Sequence, residues 1–133
     1  MDNRETLFVY GTLMSTSLSG MELIGKARAR GSLFDLGHYP GLVVEDSGSV
    51  VYGELYEATP RALSLLDRFE RYDSSSLKES LYIRCRVRLI EPNVTAWVYI
   101  YNQPVLGCPR IDGGEWLKHI EPPVQARGLQ NAS

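Results

Sequence analysis

The chain has 133 residues, 44% of them hydrophobic and 23% charged. That is enough for one domain with its own apolar core, and too apolar for a disordered chain. A formal net charge of −2 supplies no concentrated basic field, so no nucleic-acid partner is expected, and no apolar run reaches the roughly 20 residues that cross a bilayer. The start, Met1-Asp2-Asn3-Arg4-Glu5, lacks the basic-then-apolar order of a secretory signal, and Cys85 and Cys108 have no paired spacing. The expectation is a single domain over residues 1–133, cytoplasmic with reduced thiols, monomeric or homodimeric, with a polar tail from about residue 121. His38 and His119 show no ligand spacing, so neither a metal nor a cofactor is expected.

In chain order, Leu7-Phe8-Val9-Tyr10 is a short apolar run closed by Gly11, the pattern of a buried strand ending in a tight loop. Lys26-Ala27-Arg28-Ala29-Arg30 alternates as the solvated face of a strand does, and Gly31 to Leu36 reads as a further strand. Gly37-His38-Tyr39-Pro40-Gly41 is a turn cluster, because proline presets one torsion and glycines admit positive φ. Leu42-Val43-Val44 follows, then a turn at Asp46 to Ser49, then a strand from Val50 to Glu57. Gly53 in the middle of that strand predicts a bend or a close backbone approach. A helix is predicted with Thr59 as N-cap and Pro60 at the first helical position, running to about Tyr72. Leu81 to Leu89 and Val94 to Tyr101 both alternate with a period of two, Cys85 on the buried face, and Glu91-Pro92-Asn93 makes a hairpin turn between them. A shorter helical piece covers Gly114 to His119. The sum is one α+β domain, its short strands curled into a small barrel with helices outside.

On the long helix, at about 100° per residue with Leu63 at zero, Ala62, Leu65, Leu66 and Phe69 fall between roughly 200° and 300°. Glu70 lands at roughly 340°, inside the apolar arc, while Arg61, Ser64, Asp67, Arg68 and Arg71 project elsewhere. Desolvation disfavours a carboxylate there, and the negative end of the helix dipole pushes the same way, so its pKa is expected to rise. Such a carboxyl suits general acid–base work. The same position also suits an ion pair with the Arg84-Arg86-Arg88 face, and periodicity alone puts that reading ahead.

Gly11 directly after a buried strand allows a loop whose backbone N–H groups converge on a carboxylate or another anion, although a plain strand-end turn fits the residues as well. No Lys-Ser or Lys-Thr pair follows, which excludes a nucleotide P-loop, and no Gly-x-Ser-x-Gly supplies a serine nucleophile. Trp97 and Trp116 read as core or pocket wall.

Phe8-Val9-Tyr10-Gly11-Thr12-Leu13, Val51 to Tyr56, Leu66-Asp67-Arg68-Phe69-Glu70 followed by Tyr82-Ile83-Arg84, Ala96 to Tyr101, and Gly113-Gly114-Glu115-Trp116 stand in an order that resembles the γ-glutamyl cyclotransferase-like superfamily. The similarity is greatest to its compact γ-glutamylamine cyclotransferase-like branch. The resemblance implies a small mixed β-barrel with flanking helices and an enzyme that cyclises a free γ-glutamyl group to 5-oxoproline, releasing an amine or amino acid. It implies Glu70 as the catalytic acid and base, and Tyr10, Gly11, Thr12 and Leu13 as the substrate-binding loop acting through its backbone. Tyr39, Tyr82 and Tyr99 would form the pocket wall. A different acyl-amide transferase or lyase, or a non-catalytic module that binds a small carboxylate, could use the same residues. The chain departs from the family at three places: glycine often follows the glutamate where Arg71 stands here, a basic residue is common where Met14 stands, and Asp73 to Ser80 is a long polar insert. These fall on the pocket rim and bear on the substrate.

Overall fold

Residues 4–11, 19–45 and 48–120 are described by the computed structural model. Within them lie strands β1 (Glu5–Val9), β2 (Met21–Asp35), β3 (Pro40–Val43), β4 (Ser49–Ala58), β5 (Tyr82–Arg88) and β6 (Thr95–Tyr101), and helices α1 (Pro60–Phe69) and α2 (Trp116–Ile120). The strands form one sheet in the order β3-β2-β4-β1-β6-β5. Its neighbours are antiparallel except β1 and β6, which run parallel with Leu7 opposite Trp97.

A strand's period of two sorts the core into two clusters. Phe8, Val51, Leu55, Ala96 and Val98 point to one side of the sheet, where α2 adds Trp116. Leu7, Val9, Tyr56, Ala58 and Tyr99 point to the other, where α1 adds Ala62, Leu63 and Leu66. Both faces of the central strands are thus covered. The alternating basic run belongs to β2, which is longer than predicted, and Ala27 and Ala29 are buried while Lys26 and Arg30 face solvent. Cys85, expected on the buried face, is only half-buried because β5 is an edge strand.

The expected closed β-barrel is corrected to an open, curled sheet with β3 and β5 at its edges. Strand β3 has four residues, and side chains rather than a backbone ladder span the gap. The Tyr82 hydroxyl of β5 donates to the Pro40 carbonyl of β3 at 2.7 Å. Gly41 lies so close to β6 that a Cβ there would stand 2.9 Å from the Tyr101 ring. The sheet therefore has a seam closed by tyrosines.

Helix α1 starts as its sequence dictates. The Thr59 hydroxyl accepts the Ala62 N–H at 3.2 Å, Pro60 takes the first turn, and the Thr59 N–H donates to the Gly20 carbonyl, tying the helix start to the start of β2. Its end comes three residues earlier than predicted. The Tyr72 N–H donates to the Asp67 carbonyl at 2.8 Å and the Arg71 N–H to the Arg68 carbonyl at 3.2 Å, the paired bonds of a Schellman stop. Such a stop needs left-handed backbone after the cap, and here Arg71 supplies it at φ 56°, where glycine is usual. That conformation costs an L-residue about 1 kcal/mol. Arg71→Gly is accordingly expected to raise stability by about that amount, read as a higher urea midpoint at unchanged slope.

Candidate active site

The cavity opens where the sheet fails to close. Its volume is about 330 Å³, at the small end of ligand pockets. The end of β1 contributes Tyr10 and Gly11, the end of α1 contributes Glu70, and Tyr82 and Tyr99 come from β5 and β6. The β2–β3 turn brings His38, Tyr39 and Pro40 across the seam. Of the predicted site residues, Glu70, Tyr10 and Gly11 thus share one cavity with all three tyrosines expected in its wall. Thr12 and Leu13 lie outside the described residues.

Glu70 is the helix cap, its N–H held by the Leu66 carbonyl at 2.8 Å, and its side chain is half-buried. Among the described residues no cation pairs with its carboxyl. Burial alone raises its pKa from 4.5 to about 7. The arginines that could have neutralised it are engaged elsewhere: Arg84 with Asp67, Arg86 with Glu5, and Arg88 with the Asn93 amide oxygen.

Two expectations for α1 are corrected. Leu65 and Phe69, placed on the apolar arc, are exposed, so the buried stripe is Ala62, Leu63 and Leu66. That stripe centres nearer Glu70 than the predicted arc did. It also puts Asp67 at the edge of the buried face, since it lies at roughly 40° beside Leu63. Asp67 is only 19% exposed and is fully engaged. Arg84 grips it with two bonds, 2.7 Å from Nε to Oδ1 and 3.1 Å from the terminal nitrogen to Oδ2. The Tyr99 hydroxyl donates to it at 2.7 Å. Arg84 also stacks on Trp97, 4.3 Å from the ring centroid. One turn of helix thus carries one carboxylate tied down and one left alone. The tie fixes the last turn of α1 against the sheet and so sets where Glu70 stands. Asp67→Ala, which leaves Arg84 without its partner, is expected to cost about 2 kcal/mol, measured by chemical denaturation.

The part of the wall that Tyr10 forms is equally fixed. The Tyr10 hydroxyl donates to the Tyr99 carbonyl and accepts the Leu42 N–H, and burial drives its pKa well up. Its side chain is therefore a structural strut in the cavity wall. Burial also raises Tyr82 and Tyr99, which stay neutral. Gly11 packs on Pro40, so closely that a Cβ there would sit 3.0 Å from its ring.

Arg71, expected at the pocket rim, does line the cavity, whereas sequence reasoning missed His38, Pro40 and Phe69. His38 and Pro40 reach it only through long-range topology. Phe69 was hidden by the misjudged end of the helix.

Residues 7–118 match the family described as Gamma-glutamyl cyclotransferase, AIG2-like. The chain is 30% identical over 117 residues to the gamma-glutamylcyclotransferase family protein YtfP of Escherichia coli K12, covering 84% of this chain and 95% of that one. It is 35% identical over 106 residues to the gamma-L-glutamyl-butirosin B gamma-glutamyl cyclotransferase of Niallia circulans, covering 73% and 67%. The solution structure of Escherichia coli YtfP superposes with a TM-score of 0.65 at 30% identity over 87% of this chain and 99% of that one. The crystal structure of YkqA from Bacillus subtilis gives 0.67 at 30% identity, over 87% of this chain and 40% of that longer one. The chain belongs to the gamma-glutamyl cyclotransferase, AIG2-like family and is an enzyme of that type.

Proposed function

We propose that this enzyme cyclises the free γ-glutamyl group of an amine or amino-acid conjugate to 5-oxoproline, with Glu70 moving the proton. What carries the reading is the Glu70 carboxyl, in no ion pair among the described residues, in a cavity that the Tyr10-Gly11 turn also lines. Backbone N–H groups of the loop that begins there would hold the substrate's α-carboxylate and turn its α-nitrogen toward its own γ-carbonyl. The Glu70 carboxylate takes a proton from the α-ammonium, and the freed amine attacks the γ-carbon. The tetrahedral intermediate then collapses by breaking the bond to the departing nitrogen. Glu70, now a carboxylic acid, protonates that nitrogen. The second proton of the ring nitrogen follows through the regenerated carboxylate to the departing amine, so 5-oxoproline and an ammonium leave and no net proton is gained or lost. A pKa near neutrality serves both halves of the cycle.

The test is a panel of γ-glutamyl amides incubated with the purified protein and followed by chromatographic detection of 5-oxoproline. Release of 5-oxoproline and free amine in equal amounts is expected from at least one member. Binding without turnover across the panel would instead favour a carboxylate-binding module on the same fold.

A further inference from the structure

Arg71 is the one arginine or lysine among the described residues lining the cavity, and it stands directly after Glu70. It is also the only described non-glycine residue with positive φ. Its backbone is held on both sides, the N–H on the Arg68 carbonyl and the carbonyl accepting the Leu81 N–H at 3.0 Å. The base of the side chain is therefore fixed at the cavity wall, in a conformation that a glycine would take more readily.

The guanidinium has no ion pair among the described residues, which is also so for Arg61 and Arg68, but of these three Arg71 alone lines the cavity. It does not serve Glu70 either, because that carboxyl is raised by burial with no opposing contribution from a neighbouring cation. Arg71 also borders a smaller cleft of about 190 Å³ that contains Asp73 and Glu79, yet neither acid is in ion-pair contact with it. A permanent, solvent-exposed cation thus stands at the cavity rim with no ion-pair partner among the described residues. It follows the end of α1, whereas the turn at Tyr10 and Gly11 follows β1, so the two reach the cavity from different elements.

We propose that Arg71 determines leaving-group specificity by pairing with a carboxylate carried by the departing amine, so that γ-glutamyl amino acids are preferred over γ-glutamyl derivatives of simple amines. This rests on the cyclotransferase reading above. A planar guanidinium matches a carboxylate with two parallel bonds, and a charge-assisted pair of that kind discriminates strongly against a substrate that lacks it.

The experiment compares γ-glutamylalanine, γ-glutamylethylamide and the γ-glutamyl conjugate of a diamine, with 5-oxoproline as the readout. The alanine and ethylamide conjugates differ by one carboxylate. Wild-type kcat/KM is expected to be higher for γ-glutamylalanine than for γ-glutamylethylamide by about tenfold or more. Arg71→Gly, which keeps the helix stop, should shrink that ratio at least about fivefold, mainly through KM for γ-glutamylalanine, and Arg71→Lys should restore part of it. A ratio that Arg71→Gly leaves unaltered would overturn the proposal, as would a wild-type preference for the ethylamide or the diamine conjugate. The diamine result would assign the rim to Asp73 and Glu79 instead. Turnover of none of the three compounds would overturn the cyclotransferase reading itself, a result distinct from turnover without selectivity.

Discussion

Glu70→Gln is expected to lower kcat by about three orders of magnitude while making the protein more stable at alkaline pH. The amide keeps the shape of the side chain but can neither take nor return a proton. In the wild type, the ionised form must accept the first proton, so kcat/KM should climb with pH through about 7. The stability effect has the opposite sign. The folded protein keeps the Glu70 proton up to about 7, while the unfolded chain releases it near 4.5. Between these values the folded state binds more protons, so this group's contribution to stability is complete below 4.5 and is lost as pH rises through 7. The loss amounts to roughly 3 kcal/mol. Glutamine does not suffer it, so Glu70→Gln should exceed the wild type by roughly 2–3 kcal/mol at about pH 8 and match it near pH 4. Urea titrations at the two pH values measure the difference. Equal stability at both would mean that Glu70 is not desolvated, and residual activity within about tenfold of wild type would remove it as the proton carrier.

The second large effect is structural and acts on the strand that leads into Tyr10 and Gly11. Gly53 lies in the middle of β4 where that strand passes the end of β1. A Cβ there would be driven into the Val9 carbonyl oxygen and stand 2.9 Å from the Phe8 ring, and neither a backbone carbonyl nor a buried ring has room to retreat. Gly53→Ala is expected to cost about 3 kcal/mol and to displace the Val9-Tyr10-Gly11 segment from the cavity. Gly25→Ala serves as the control, since a Cβ at Gly25 meets nothing within 4 Å, and its effect should stay within about 0.5 kcal/mol. Chemical denaturation of both variants, with 5-oxoproline release measured alongside, separates a clash at Gly53 from a general intolerance of alanine in strands.

Local signals in the sequence carried well. The Thr59–Pro60 helix start, the close approach at Gly53 and the hairpin between β5 and β6 each follow from residues a few positions apart, and the structure has all three. Glu70 on the buried side of α1 was legible because angular position depends only on helix geometry. What failed depended on tertiary context. Arginine carries no stop signal, so the Schellman turn at Arg71 was invisible and the helix was run on to Tyr72. Asp67 was assigned to solvent because its partners Arg84 and Tyr99 lie on strands that periodicity cannot bring to the helix. Barrel closure was overestimated for the same reason. Strand spacing implies curvature, but whether the last edge meets the first depends on pairing between β3 and β5, more than 30 residues apart.

The unclosed edge has an evolutionary consequence. His38, Tyr39, Arg71, Asp73, Ser76, Glu79 and Ser80 border the cavity and its neighbouring cleft, yet, Arg71 aside, none lies in the stretches whose backbone bonds build the sheet or end the helix. They can lengthen, shorten or change chemistry while the scaffold that holds Glu70 against Tyr10 keeps its bonds. A lineage using this fold can therefore acquire a new clientele by redrafting its rim, without having to rediscover its reaction.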